Sequence, residues 1–226
     1  MSSKLFLGLI LAFLTFLIGG LLLRSGSAFP AVESFPDPVV DMDRSVTKAN
    51  GMAVLAGGCF WCTEAVFEQL AGVSEVVSGY AGGKLETANY DLVSWGKTDH
   101  AESIQITFDP SNISYGLLLK VFFSVAHDPT QLNRQGPDYG RQYRSAIFFA
   151  DAEQKQIAET YIKQLEQAKL FSKPIVTEVN ELKGFYRAEE YHQDFVKRNP
   201  RHPYVVVNAI PKIQKTKKAF SSLVKK

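Results

Sequence analysis

The segment AESIQITFDP, residues 101–110, sets Ile104, Ile106 and Phe108 on one side of an extended chain and Ser103, Gln105 and Thr107 on the other. A period of two held this long is a strand with one face against a core. A lone strand leaves its backbone N–H and C=O groups unpaired, so the chain must build a sheet around this one. MAVLAGG (52–58), an apolar run stopped by glycines, reads as a partner, as do VSEVVSGYAGG (73–83), RSAIFFA (144–150) and KPIVTEVNEL (173–182). Helical stretches lie between them. FWCTEAVFEQL (60–70) brings Val66 and Leu70 to one face, SYGLLLKVFFSVA opens on Ser114 as its cap, and DAEQKQIAETYIKQLEQA opens on Asp151. Strands alternating with helices at mixed spacing predict a two-layer α/β sandwich.

The start of the chain is of another kind. Leu5 to Leu23 carry no charge over nineteen residues, behind Lys4 and the terminal amine. Such a run is a signal peptide or a membrane anchor, and Gly26–Ala28 offers a small-residue cleavage site. Residues 1–28 are therefore set apart as a hydrophobic helix that exports or tethers the chain to a cell envelope or periplasm-like compartment. Residues 29–49, rich in proline, read as a linker, and the folded domain is expected over 50–204. Residues 205–226 carry six lysines and read as a basic, solvated tail, with anionic lipid as its sharper alternative. A formal net charge of +2 argues against nucleic acid as a partner, and a monomer is the default.

Only two cysteines occur, Cys59 and Cys62, three apart where the first strand meets the first helix. Zinc would need more ligands than two thiols and four scattered histidines provide. A structural disulfide across so short a loop stabilises little. Redox use is the better reading, because the positive end of a helix lowers a thiol pKa and favours thiolate at Cys59. A thioredoxin-like dithiol would fit the same spacing.

More residues decide. GGCFW and TEAVF, then SGYAGG, HAE, FDP, HDPTQLNRQG, DYGRQYRSAIFF and EEYHQDF, in that order from about residue 52 to 204, resemble the peptide methionine sulfoxide reductase A family. The resemblance implies an α/β (α+β) fold: a two-layer sandwich around a mixed β-sheet with a ferredoxin-like split βαβ core. It implies reduction of the S epimer of methionine sulfoxide, in proteins or free, with no metal and no other cofactor than an external thiol such as thioredoxin, glutaredoxin or glutathione. Cys59 would be the nucleophile that becomes a sulfenic acid, and Glu102 the acid that protonates the departing oxygen. Tyr90 and Tyr143 would hydrogen bond that oxygen, Asp138 would hold water and the acid network, and Phe60 and Trp61 would wall a pocket for the ε-methyl. His100 reads as a structural hydrogen-bonding residue.

Three departures stand out. Many relatives carry resolving cysteines near the carboxyl end, whereas no cysteine follows Cys62 here. Either Cys62 resolves Cys59 or an external thiol attacks the sulfenic acid directly. Asp99 precedes HAE where glycine is common, and a carboxylate there would raise Glu102 further. ETANY replaces the usual NPTY before Tyr90. Two rival functions remain: a general dithiol oxidoreductase, and a module that binds oxidised methionine without turnover.

Overall fold

The computed structural model describes residues 29–43 and 50–226. In chain order the elements are β1 (Gly51–Gly57), α1 (Phe60–Phe67), β2 (Val73–Ala81), α2 (Tyr90–Ser94), β3 (Ala101–Phe108), α3 (Tyr115–Val121), β4 (Arg134–Gln135), β5 (Asp138–Tyr139), β6 (Ser145–Phe149), α4 (Ala152–Gln167), β7 (Glu178–Glu181), β8 (Phe185–Arg187), α5 (Phe195–Arg198) and α6 (Ile210–Ala219). Six strands form one mixed sheet in the order β7-β6-β1-β3-β2-β8, and β4 and β5 form a separate hairpin.

The alternating strand is β3, flanked by β1 and β2, both antiparallel to it. β1 and β2 thus run parallel with β3 between them and α1 joining them, which is a split βαβ unit. β3 and β6 flank β1 in the same way, joined through α3. The two interleaved units give the expected ferredoxin-like core. β7 extends it in parallel beside β6, and β8 covers the far edge at β2.

One sheet face carries Leu55, Ile104, Ile106, Tyr80 and Ile147 and packs beneath Val66 and Phe67 of α1, Leu118 and Leu119 of α3, and Ile157 and Tyr161 of α4. The other face is built of small residues, Ala56, Ala81, Ala101 and Ala146 with Val54 and Phe148, and lies under Leu182 and Phe185. Its residues are covered too, so Ser103 on the nominally polar side of β3 is fully buried and bonds the Ala101 carbonyl. Ser114 and Asp151 cap α3 and α4 as expected, accepting from Leu117 N and Gln154 N.

Two segments differ from the sequence reading. Residues 29–43, within the expected linker, pack along α3 and α4. Val32 and Phe35 are buried, the Asp41 carboxylate accepts from Ser114 Oγ and Gly116 N, and the Tyr161 hydroxyl donates to Pro36 O. Phe29 stacks on Phe35 and both meet Phe171 edge-on, which holds the strap down. The lysine-rich end is likewise no solvated tail. Val205–Ala209 form a π-turn that leads into α6, and Val205, Ala209, Thr216 and Phe220 are buried. Apolar residues recur between the lysines, and two of those lysines donate to main-chain carbonyls, Lys212 to Ala126 and Lys215 to Ser124. The hydrophobic helix expected over residues 1–28 lies outside the described residues.

Candidate active site

The site begins at the turn between β1 and α1. Gly58 has φ +90°, and a Cβ there would stand 2.5 Å from the Gln135 side chain, so the turn requires glycine twice over. This close approach seats the β4–β5 hairpin against the turn. Cys59 follows as the N-cap of α1, and its carbonyl accepts from Cys62 N at 3.1 Å. Both thiols are free and buried. They lie in an apolar group with Ala65, Val196, Val205 and Ala209, so the carboxyl-terminal segment roofs them.

Burial decides the charge state of Cys59. Lack of water, followed by the neighbouring Cys62 and Glu102, pushes its thiol well above the ordinary value. The expectation of a thiol lowered by the helix end is therefore reversed: burial raises it. Cys62 moves the other way, lowered first by its hydrogen bond with Cys59 and further by Lys212.

Glu102 sits on β3 in phase with Ile104 and Ile106, so the pleat that buries those side chains buries the carboxyl as well. It is 3% exposed and pairs across the ladder with Tyr80. Its Oε2 accepts from Phe60 N at 3.0 Å, one residue from the nucleophile. Desolvation raises it to about 8, only partly offset by that amide, and Asp138 adds to the rise. Glu102 is thus a carboxylic acid at neutral pH. Asp99 has no part in this: it is exposed, and its carbonyl accepts from Arg144 Nη2. The second carboxylate that matters is Asp138.

Tyr90 and Tyr143, both half-buried, converge on the same centre. Burial raises Tyr90 to about 12, and the charges of Glu102 and Cys59 act on it next. Tyr143 is raised by burial and by Glu102, Tyr90, Asp138 and Cys59. Both are neutral hydroxyl donors. Asp138, on β5, is half-buried and accepts from the Tyr204 hydroxyl at 2.5 Å. Arg144, buried, fixes the Tyr143 segment by donating to Glu178, Arg141 O and Asp99 O.

Phe60 is fully buried between Tyr80, Trp61 and His192, so its contribution beyond packing is the amide given to Glu102. Trp61 is half-buried and stacks flat on Phe195 at 3.7 Å between centroids. His100 is structural, as expected: Nδ1 accepts from Gly83 N and Nε2 donates to Lys84 O.

Three residues escaped the sequence reading. Tyr204 lies against both sulfurs, where its hydroxyl favours their thiolate forms, and also holds Asp138. Glu189 accepts from the Tyr80 hydroxyl and from Tyr90 N, while His192 Nδ1 accepts from Trp61 Nε1. The EEYHQDF stretch thus holds Tyr90 and Trp61 in place. Its only signal was three acidic residues and a histidine set among aromatics.

A dry thiol pair beside a buried, proton-bearing carboxyl and two neutral phenols defines a thiol-dependent oxidoreductase that delivers protons as it transfers electrons. The peptide methionine sulfoxide reductase family model matches residues 51–223. The chain is 56% identical over 210 residues to peptide methionine sulfoxide reductase MsrA 2 of Synechocystis sp., covering 91% of this chain and 98% of that one. It is 53% identical to the MsrA 2 of Mesorhizobium japonicum, over 80% of this chain and 93% of the relative. Among solved structures, methionine sulfoxide reductase A of Corynebacterium diphtheriae superposes with a TM-score of 0.61 at 32% identity, covering 78% of this chain and 88% of that chain. The reduced form of Mxr1 from Saccharomyces cerevisiae gives 0.59 at 32% identity, over 74% and 94%. The chain belongs to the peptide methionine sulfoxide reductase family. It is an oxidoreductase that reduces methionine sulfoxide at the expense of thiols, and the thioredoxin-like alternative is set aside.

Proposed function

We propose that Cys59 attacks the sulfur of an S-configured methionine sulfoxide, in a protein or free, while Glu102 protonates the oxygen. Attack joins Cys59 Sγ to the sulfoxide sulfur as the protonated oxygen leaves as water. A water then attacks Cys59 Sγ, the sulfur–sulfur bond breaks, methionine leaves two electrons richer, and Cys59, two electrons poorer, is a sulfenic acid. Expelling an unprotonated oxide would be very costly, which is why the acid is needed. The hydrogen bond from Phe60 N to a fully buried Glu102 carries this reading, since it fixes a protonated carboxyl next to the nucleophile. Thiolate forms on the substrate complex, where the positively polarised sulfur of the sulfoxide comes up against Cys59. Tyr90 and Tyr143 donate to the oxygen, Asp138 with Tyr204 orders the proton network, and Trp61 bounds the methyl site with Phe60 packed behind it.

Cys62 then attacks the sulfenic acid, giving a Cys59–Cys62 disulfide and water, and an external thiol such as thioredoxin, glutaredoxin or glutathione restores the pair. Support comes from the shared burial of the two sulfurs and from the lowered Cys62 thiol. Glu102→Gln tests the acid role: the single-turnover rate of methionine formation should fall by about 10²–10⁴-fold with the peptide still bound. A variant as fast as the parent would remove Glu102 from the chemistry.

The enzyme acts on the far side of a membrane or tethered to it. The uncharged run Leu5–Leu23 supports this placement. Fractionation with an alkaline wash tests it, since a protein recovered in the soluble cytoplasmic fraction would contradict both export and tethering.

A further inference from the structure

Cys59 and Cys62 also line a small cleft to whose wall the acid does not belong. A cavity of about 70 Å³ is lined by Cys59, Cys62, Gln135, Asp138, Tyr204 and Lys212, with Gly136, Pro137 and Asn208 at its edge. Glu102, Tyr90, Tyr143, Phe60 and Trp61 contribute nothing to its wall, which Tyr204 and Asp138, hydrogen bonded to each other, help to form. An outer hollow of about 270 Å³ adjoins it, sharing Gln135 and Lys212 and adding Phe29, Asp128 and Lys215. The Lys212 ammonium is held by the Ala126 carbonyl, so its charge is fixed at the junction of the two spaces. Asp128 is occupied by Thr130 and Gln131, and Asp138 by Tyr204. The inner space has room for about two waters, enough for a single sulfur and its methylene, whether from a small thiol or from a cysteine projecting off a protein.

We infer that the cleft between the β4–β5 hairpin and α6 admits the thiol that reduces the Cys59–Cys62 disulfide, with Lys212 as the cation that draws in and holds its thiolate. This rests on the proposed resolution by Cys62. The incoming thiolate attacks Cys62 Sγ and the S–S bond breaks. Cys59 departs as thiolate and takes up a proton on the Glu102 side, leaving a mixed disulfide on Cys62. A second thiol attacks the incoming sulfur, releasing the oxidised reductant and the Cys62 thiol. Two thiols lose two electrons, and the enzyme gains them. In this chain the carboxyl-terminal segment therefore contributes a cation to recycling.

The test compares the full chain with Lys212→Met and Lys212→Arg, at limiting reductant, using glutathione in one arm and reduced thioredoxin in the other. Lys212→Met should lower the turnover rate by about tenfold and Lys212→Arg should restore most of it, with the methionine burst without reductant as the baseline. Because Lys212 also lowers the Cys62 thiol, the rate at which added thiol reduces the preformed Cys59–Cys62 disulfide, a step that follows resolution, should fall by the same factor. A loss confined to one arm supports the cleft and names the source of the thiol as small molecule or protein. Unchanged turnover in both arms, while the Cys59–Cys62 disulfide is seen by mass spectrometry, would overturn the cleft alone. An equal loss of burst and turnover would overturn it too, because Lys212 would then serve the fold or the first step. A burst that leaves the Cys62 thiol free would instead remove the underlying resolution step and the cleft's role with it.

Discussion

Glu102 illustrates what this enzyme gives up in stability for chemistry. Its pKa in the folded chain is raised from an ordinary 4.5 to about 8, so folding favours its protonated form. The stability that form supports is complete below about 4.5 and is lost as pH rises to about 8. Catalysis requires the same proton. The single-turnover rate is therefore expected to hold up to neutral pH and to fall above about 8, and a profile still rising at pH 9 would contradict the acid role. Glu102→Gln removes the charge and keeps an acceptor for Phe60 N, so its melting temperature should exceed the parent's by a few degrees at pH 8 and match it near pH 4. Glu64, raised by burial to about 8 beside Glu68, follows the same course in both proteins and cancels from this comparison. Cys59 carries the complementary expectation. In Cys62→Ser without substrate, its thiolate absorbance should appear only above the ordinary thiol value of 9.0, and a titration well below it would show that the helix end prevails over burial.

At the scale of elements, the strap and the closing helix bear most on stability. Phe35 is fully buried against Phe29 and Phe171, so Phe35→Ala is expected to cost about 3–4 kcal/mol, read from denaturant unfolding at unchanged m-value. A cost under about 0.5 kcal/mol, the range of surface changes, would mean the strap lies free. Strands and helices with a clean period were legible in the sequence: β3 from its alternation, α3 and α4 from their caps. The strap and α6 were not, because proline and lysine content describes average solvation and says nothing of a few apolar residues that dock. The site divided in the same way. Cys59, Cys62, Glu102, Tyr90, Tyr143 and Asp138 were named from motifs and do converge, and the burial of Glu102 was implicit in its phase with Ile104. Tyr204 and Glu189 were missed because their roles arise only when residues far apart in sequence meet. His100 and Gly83 show a close approach of this kind, since a Cβ on Gly83 would stand 2.5 Å from the imidazole.

At the scale of the whole molecule, the split βαβ core brings the start of α1, just past β1, beside β3, so the nucleophile arrives from a helix N-terminus and the acid from the neighbouring strand. The carboxyl-terminal segment then closes over the thiols and buries them. That arrangement predicts an enzyme complete for one turnover without any added reductant. The most direct measurement mixes the reduced protein with a peptide containing S-methionine sulfoxide and no other thiol. Methionine, remaining thiols and the mass of the cysteine peptide are then counted together. The account predicts one methionine per chain, both thiols lost and a Cys59–Cys62 disulfide; no methionine, or an equal yield from Cys59→Ser, would contradict it.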